Sequence, residues 1–493
     1  MANTSQGPET PEQEEDWRST ILRRELLRHA RSVEQLAARF EEAEDYPTDT
    51  AVTFCKLINK TAGLIASRLN SAPVEKLRYI YTVLVSMGQY LRFAERSRID
   101  QTPWSMIQAA EAFLKRHTPE ECRFILRPQW SYNYSIRSGF IESLRACFGS
   151  LIEWMPLSEW ENAIGDIGKY RIYCISFPRV ERMNVLMHVS WGHEVGHIHA
   201  SNWLDTRFAV LWKNAEDKIK QSLRAHWDEE TANSEHGLLR SAYADQYVSG
   251  AMKETMEFAQ SGLKELISDF VGAHLLGPAA LACLGAYSVR SDLDMNPCQC
   301  GRYPPWRMRL RKMSEVVAGD LIEEKLFASH AQWRTKILPY VHFLQQVNGL
   351  TSSSDDKIEI DADIRTRLAY QFIQHHWILV RKEVISLLPK ESQAPYQLKN
   401  RLGIIHELVL RLNQGIPPNE TGTWPDTDPA SLPDIWNAAW AFSRLRLDED
   451  EKWGTPNNFD DLFRLTLKAI EASYVHSTFG PELRLVAEHE HIK

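Results

Sequence analysis

The stretch that most constrains the fold of this chain is residues 191–197, which read WGHEVGH. Its two histidines, His193 and His197, are four residues apart. On an α-helix such residues lie on one face, so both imidazoles can bind the same metal ion. Glu194 lies beside them, where its carboxylate can accept a proton from a water bound to that metal. The pattern predicts a helix that carries a metal site; the alternative is an ordinary helix with two incidental histidines.

The composition is that of a globular protein, since 25% of the 493 residues are charged and 43% are hydrophobic. A net charge of -8 argues against a main role in binding a nucleic-acid backbone. The seven cysteines are an odd, sparse set, typical of reduced thiols in the cytoplasm. Residues 1–16 are polar and acidic and lack the apolar region of a secretory signal. We therefore expect a cytoplasmic protein that binds neither nucleic acid nor membrane.

The spacing of apolar residues predicts a mainly α-helical protein with a small antiparallel sheet. Two short runs at 122–128 and 170–177 favour strands, and the second is the candidate edge strand for an extended substrate. The apolar run 271–289 predicts a buried helix broken at Pro278 and not a membrane span. The expected regions are a disordered tail (1–16), an N-terminal helical domain (17–118), a core (119–313) and a C-terminal helical domain (314–493).

A catalytic zinc takes three protein ligands and keeps one position open. The extended motif of metzincins is excluded, because its Gly and His positions are occupied by Ala200 and Trp203. Among the later glutamates, Glu265 has an aspartate four residues on, at Asp269, and the two share a helix face. Glu265 can bind the metal while Asp269 accepts the second N–H of a ligating histidine. Asp205, eight residues past the second histidine, is the competing candidate.

These residues carry a family resemblance. Residues 265–269 (ELISD) resemble the ExxxD element of gluzincin metallopeptidases, and residues 269–278 are similar to the segment that follows in ImmA/IrrE-like and CAAX-prenyl-protease-type families. Residues 303–310 (YPPWRMRL) resemble the HPPxxxRI element of the latter, with Tyr303 in place of its His. The resemblance covers roughly residues 170–313. It implies a zincin-like catalytic core, here flanked by helical regions, with one zinc per chain.

The resemblance further implies a zinc metallopeptidase that hydrolyses peptide bonds of a protein or peptide substrate. Glu194 is then the general base, and Tyr303 and Arg309 are candidates to stabilise the oxyanion. The alternative for both is that they only brace the fold. Gly192 and Gly196 each destabilise a helix interior by about 1 kcal/mol relative to Ala. They favour either close helix packing or room for substrate, and the sequence does not decide between these.

A different class of function stays open beside the enzyme. A zinc-binding regulator, non-catalytic or gated by a signal, would act by binding a protein or ligand through the flanking helical domains. The presence of Glu194 favours catalysis, because zinc binding alone does not need it. The pair Cys298 and Cys300 has no second pair at zinc-finger spacing, so we interpret it as a feature of a loop.

Overall fold

The computed structural model describes residues 11–232, 237–289, 303–350, 363–422, 427–449 and 456–490. Among them the fold is mainly α-helical, as predicted. The chain divides into two compact units, Met1–Glu111 with Glu120–Arg182, and Ala112–Pro119 with Met183–Lys493. The predicted boundaries at 118 and 313 do not coincide with this division, and the independence of those regions stays a prediction. No helix among the described residues has the length and apolar character needed to cross a membrane.

The first unit is built from helices around one apolar core. Phe54 and Phe140 pack edge to face with ring centroids 5.2 Å apart, and the buried Trp160 donates its indole N–H to Thr61 Oγ1 at 3.1 Å. The helices of this unit are α1 (Pro11–Glu41), α2 (Asp49–Arg68), α3 (Val74–Glu95), α4 (Trp104–Arg116) up to Glu111, α5 (Phe140–Gly149) and α6 (Leu157–Ile164).

A three-stranded sheet completes the first unit, with strands β1 (Cys122–Gln129), β2 (Ser135–Arg137) and β3 (Arg171–Pro178) in the order β1-β3-β2. Both predicted strands are confirmed. The prediction of an antiparallel sheet is wrong, because β3 runs parallel to β1 and antiparallel to β2. The chain from β1 to β3 passes through α5 and α6, which is long enough for a parallel crossover. The prediction that the run 170–177 forms an edge strand is also wrong, since this run is β3, which is central and paired on both sides.

The N-terminal tail differs from its prediction over part of its length. Helix α1 begins at Pro11, so residues 11–16 of the expected disordered tail are helical. Residues 1–10 lie outside the described residues.

The second unit holds the sequence motif. Its helices are α7 (Trp191–Trp203), α8 (Ala209–Glu230), α9 (Gly237–Leu276), α10 (Pro278–Ser288), α11 (Trp306–Val317), α12 (Glu323–Phe327), α13 (Arg334–Gly349), α14 (Ile364–Leu387), α15 (Leu402–Asn413), α16 (Leu432–Glu449) and α17 (Pro456–Glu490). A two-stranded hairpin of β4 (Glu420–Thr421) and β5 (Asp428–Pro429) lies between α15 and α16.

The apolar spacing around the motif predicts a helix from about Glu181 to His199, whereas α7 begins ten residues after Glu181, at Trp191. A short 3₁₀ turn, Met187–Ser190, leads directly into it. Val185, Leu186 and Val189 are buried in this non-α segment. Their apolar spacing therefore predicted burial correctly, although this segment is not α-helical.

Helices α7 and α9 cross at very short range. A Cβ atom at Gly196 would lie 2.4 Å from the Cα atom of Ser268, and one at Gly192 would lie 2.5 Å from Leu276 Cδ1. Gly272 faces the same crossing from α9, where a Cβ atom would lie 3.2 Å from the backbone nitrogen of His193. The glycines at 192 and 196 thus provide close helix packing, one of the two interpretations that the sequence allowed.

The apolar run 271–289 covers the end of α9 and the whole of α10, is mostly buried and is broken at the predicted place. Gly277 adopts a positive φ of 62°, which glycine tolerates without the steric penalty of a side chain, and Pro278 begins α10. Asn437 on α16 bridges the break, because its Nδ2 donates to Leu276 O (2.9 Å) and its Oδ1 accepts from Ala279 N (3.0 Å). One buried amide therefore satisfies the end of one helix and the start of the next.

The crossing generates a stability prediction. Gly196→Ala places a methyl group against the backbone of Ser268, and overpacking of this kind costs about 1–3 kcal/mol. The control is Gly250→Ala in α9, where an added Cβ would meet nothing within 4 Å. That change should stabilise the protein by up to about 1 kcal/mol, because Ala is the better helix former.

Thermal unfolding of the two variants checks the prediction. We expect the midpoint to fall for Gly196→Ala and to stay level or rise for Gly250→Ala. A Gly196→Ala protein as stable as its control would show that the helices can separate at no cost.

Candidate metal centre

The helix crossing brings three metal-binding side chains to one place. His193 and His197 extend from α7 and Glu265 from α9, and one ligand atom from each lies within 4.8 Å of the other two. His193 Nε2 is 3.5 Å from Glu265 Oε2, and His197 Nε2 is 3.8 Å from Glu265 Oε1. Two imidazole nitrogens and one carboxylate oxygen are a donor set that suits zinc and related transition metals. Of seven candidate glutamates in the sequence, the structure groups Glu265 with the histidines.

Asp269 fixes the orientation of the first histidine. Its Oδ1 lies 2.8 Å from His193 Nδ1, which leaves Nε2 directed towards Glu265. Arg309 on α11 donates two hydrogen bonds to the same carboxylate, from Nε to Oδ2 (2.7 Å) and from Nη2 to Oδ1 (2.8 Å). Arg309 Nη2 also lies 3.5 Å from Glu265 Oε2. Arg309 therefore contacts both acidic side chains and holds them in place.

The second histidine has a partner that the sequence analysis did not identify. Ser268 Oγ lies 2.9 Å from His197 Nδ1 and 2.7 Å from the Lys264 carbonyl. The available signal was its position three residues after Glu265, on the same helix face.

Glu194 is buried beside the cluster, with 2% of its surface exposed. In the part of the chain that the structure describes, its Oε2 has no hydrogen-bond partner. Burial raises the pKa of Glu194 to about 7, with smaller electrostatic contributions from His193, Glu265, Arg309 and Lys264. This carboxyl can therefore exchange a proton near neutral pH.

The carboxylates of the cluster stabilise a positive charge on His193. Burial lowers the pKa of His193, but Asp269 and Glu265 outweigh burial and raise that pKa to about 10. Burial and the neighbouring His193 lower the pKa of His197 to about 3. Burial opposes ionisation of Glu265, yet His193 and Arg309 lower its pKa to about 2. A bound metal cation would replace the proton that the two carboxylates hold on His193.

The remaining predicted residues do not join the three donors. Tyr303 has 51% of its surface exposed and interacts electrostatically with Arg309. Pro304 packs near Gly262, one turn before Glu265, so this segment lies at the side of the centre. Asp205 is exposed in a short π-helical turn after α7 and is not grouped with the histidines. Cys298 and Cys300 lie outside the described residues.

Comparisons with known proteins add no name to this centre. No protein-family model, no curated protein and no solved structure matches the chain. The chemistry of the centre is therefore argued from its own residues.

The buried ion pair generates a prediction for the metal-free protein. Arg309→Gln removes both guanidinium hydrogen bonds to the buried Asp269 and leaves His193 as the charged partner of that carboxylate. Breaking such a pair costs about 3–5 kcal/mol in unfolding free energy. Arg464→Gln in the same unit removes an exposed ion pair with Asp461, which contributes at most about 1 kcal/mol.

Urea unfolding of both variants measures the difference. If Arg309→Gln costs no more than Arg464→Gln, Asp269 does not depend on Arg309 for its charge.

Proposed function

We propose that this protein is a zinc-dependent peptidase that hydrolyses peptide bonds of a protein substrate. One observation carries the proposal. The convergent donors His193, His197 and Glu265 lie beside the buried carboxylate of Glu194, whose Oε2 has no partner among the described residues. A three-ligand set leaves a coordination position for water or substrate, as catalytic zinc sites do.

The metal supplies two effects when bound: it lowers the pKa of a water molecule and polarises a carbonyl group. The side chains of the chain supply the rest. Glu265 and the two histidines place the ion, while Asp269 and Ser268 hold the two rings. This support from a second layer of residues is what a metal site needs to keep its geometry.

Glu194 moves the proton in this mechanism. Its carboxylate accepts the proton of the attacking water and returns it to the nitrogen of the leaving amine. Burial in the metal-free protein raises the pKa of Glu194, which makes this carboxylate a stronger proton acceptor. The oxygen without a partner is the atom we assign to this role.

The same carboxylate favours an enzyme over a regulator or a structural zinc site. A buried polar atom without a hydrogen bond costs about 1–3 kcal/mol of stability, and zinc binding does not require it. A role in proton transfer accounts for that cost. A signal-gated regulator that only binds zinc would gain stability from an uncharged residue at this position.

We assign different roles to Tyr303 and Arg309, the two candidates to stabilise the oxyanion. Arg309 uses its Nε–Nη2 edge for two hydrogen bonds to Asp269, and Nη2 also lies 3.5 Å from Glu265, so we assign Arg309 to positioning. Tyr303, which is half exposed and interacts electrostatically with Arg309, stays the candidate for a donor to the developing oxyanion.

Zinc affinity tests the ligand set. The purified protein should bind one zinc per chain. His197→Ala and Glu265→Ala should lose most of that affinity, since each removes a donor. Asp205→Ala and Glu257→Ala are controls on exposed residues of the same unit and should bind as the wild type does. Calorimetric titration with zinc measures all five proteins. If Asp205→Ala loses zinc while Glu265→Ala keeps it, the third ligand is wrongly assigned.

Glu194→Gln tests the proton transfer separately from the metal. The amide keeps the shape of the side chain but cannot accept a proton, so we expect zinc to bind and hydrolysis to stop. Proteomics of newly formed peptide termini compares cells that make the wild type with cells that make Glu194→Gln, and Glu257→Gln is the matched control. New termini that persist with Glu194→Gln would contradict the mechanism.

A further inference from the structure

We infer that Ser268 is a positioning residue that fixes which nitrogen of His197 is available to a metal ion. The inference rests on the metal site of the proposed function and goes beyond its ligand set. It starts from one hydroxyl group that contacts two polar atoms at once, the Lys264 carbonyl at 2.7 Å and His197 Nδ1 at 2.9 Å.

The proton count decides the roles of the three atoms. A serine hydroxyl has one hydrogen and a carbonyl oxygen can only accept, so both contacts are hydrogen bonds only when that hydrogen is donated to Lys264 O. The oxygen of Ser268 then offers a lone pair to His197 Nδ1, which must carry a hydrogen to form the bond. In a neutral imidazole the lone pair is then on Nε2. This is the nitrogen that lies 3.8 Å from Glu265 Oε1 in the metal-binding group.

The backbone makes this contact possible. Ser268 reaches the ring of His197 because Gly196 lets the two helices approach until a Cβ atom would lie 2.4 Å from Ser268 Cα. Ser268 is fully buried, so water does not compete for its hydroxyl. The two histidines are consequently held in different ways. His193 donates to a carboxylate that is paired with Arg309, whereas His197 donates to a neutral hydroxyl.

The test compares two buried hydroxyl groups on α9. Thr255 Oγ1 donates to Ala251 O at 2.7 Å, which is the same backbone hydrogen bond that Ser268 makes, and among the described residues it has no histidine partner. Ser268→Ala should weaken zinc binding by about 10–100-fold, the usual effect of losing a partner of a ligating histidine. Thr255→Ala should leave the zinc dissociation constant unchanged while it removes a comparable buried hydroxyl.

Two further variants separate positioning from packing. Ser268→Thr keeps the hydroxyl and should restore zinc affinity close to the wild-type value. Ser268→Cys has nearly the same shape, and because a thiol is a weak acceptor it should fall between serine and alanine. The cysteine variant carries the test if the alanine variant does not fold. The measurements are zinc dissociation constants by competition with a chelator, and unfolding midpoints of the metal-free proteins.

The outcomes are distinguishable. A graded loss of affinity from Thr to Cys to Ala, without a matching order in metal-free stability, supports the inference. Zinc binding by Ser268→Ala and Ser268→Cys at the wild-type level overturns it and leaves the proposed metal site standing. A wild type and a Thr255→Ala variant that both fail to bind zinc overturn the metal site itself, and the role of Ser268 with it.

Discussion

The close crossing of α7 and α9 is the constraint on which the centre depends. Both elements are continuous helices at the crossing, so the distance between their axes sets the distance between the histidines of one and the acids of the other. Gly192 and Gly196 remove the side chains that would hold α7 away, and Gly272 does the same from α9. Residues that alternate with these glycines carry the chemistry. Gly192 and Gly196, four residues apart on α7, allow the close packing. His193 and His197, which follow these glycines and are also four residues apart, face the candidate metal site.

Sequence reasoning identified the three candidate metal-binding residues that the structure groups together, because they follow helix geometry. A spacing of four residues predicts a shared face, and His193 with His197 and Glu265 with Asp269 both lie as that rule requires. Sequence reasoning missed Ser268, because a serine inside a helix commonly bonds only its own backbone, so its position three residues after Glu265 did not by itself indicate a histidine partner. The partner of Asp269 was predictable in kind, since an aspartate among buried apolar residues needs a cation. Arg309, forty residues away, could not be chosen on local grounds.

The fold, like the candidate site, was predictable only where local sequence signals are sufficient. Apolar spacing and start residues predict helices over 48–70, 73–95 and 360–388, and α2, α3 and α14 lie close to these ranges because such signals are local. Strands β1 and β3 likewise lie close to the two predicted runs. The strand order is not a local property. Whether β3 is central or at the edge depends on where β2, a strand of three residues, pairs, and so short a strand has little pattern of its own. The division into two units likewise depends on contacts between distant segments.

Helix α9 has a consequence for local dynamics. It is 40 residues long, and from Leu263 to its end almost every side chain is buried, whereas the stretch from Tyr243 to Gly250 is largely exposed to solvent. Opening of a helix is easiest where few apolar contacts are lost. Amide hydrogens of the exposed part should therefore exchange with solvent by local fraying. Those around Glu265 and Gly272 should exchange only when the second unit unfolds. The rate of amide exchange should therefore fall along this one helix, and it should be lowest at the end that bears the candidate metal centre.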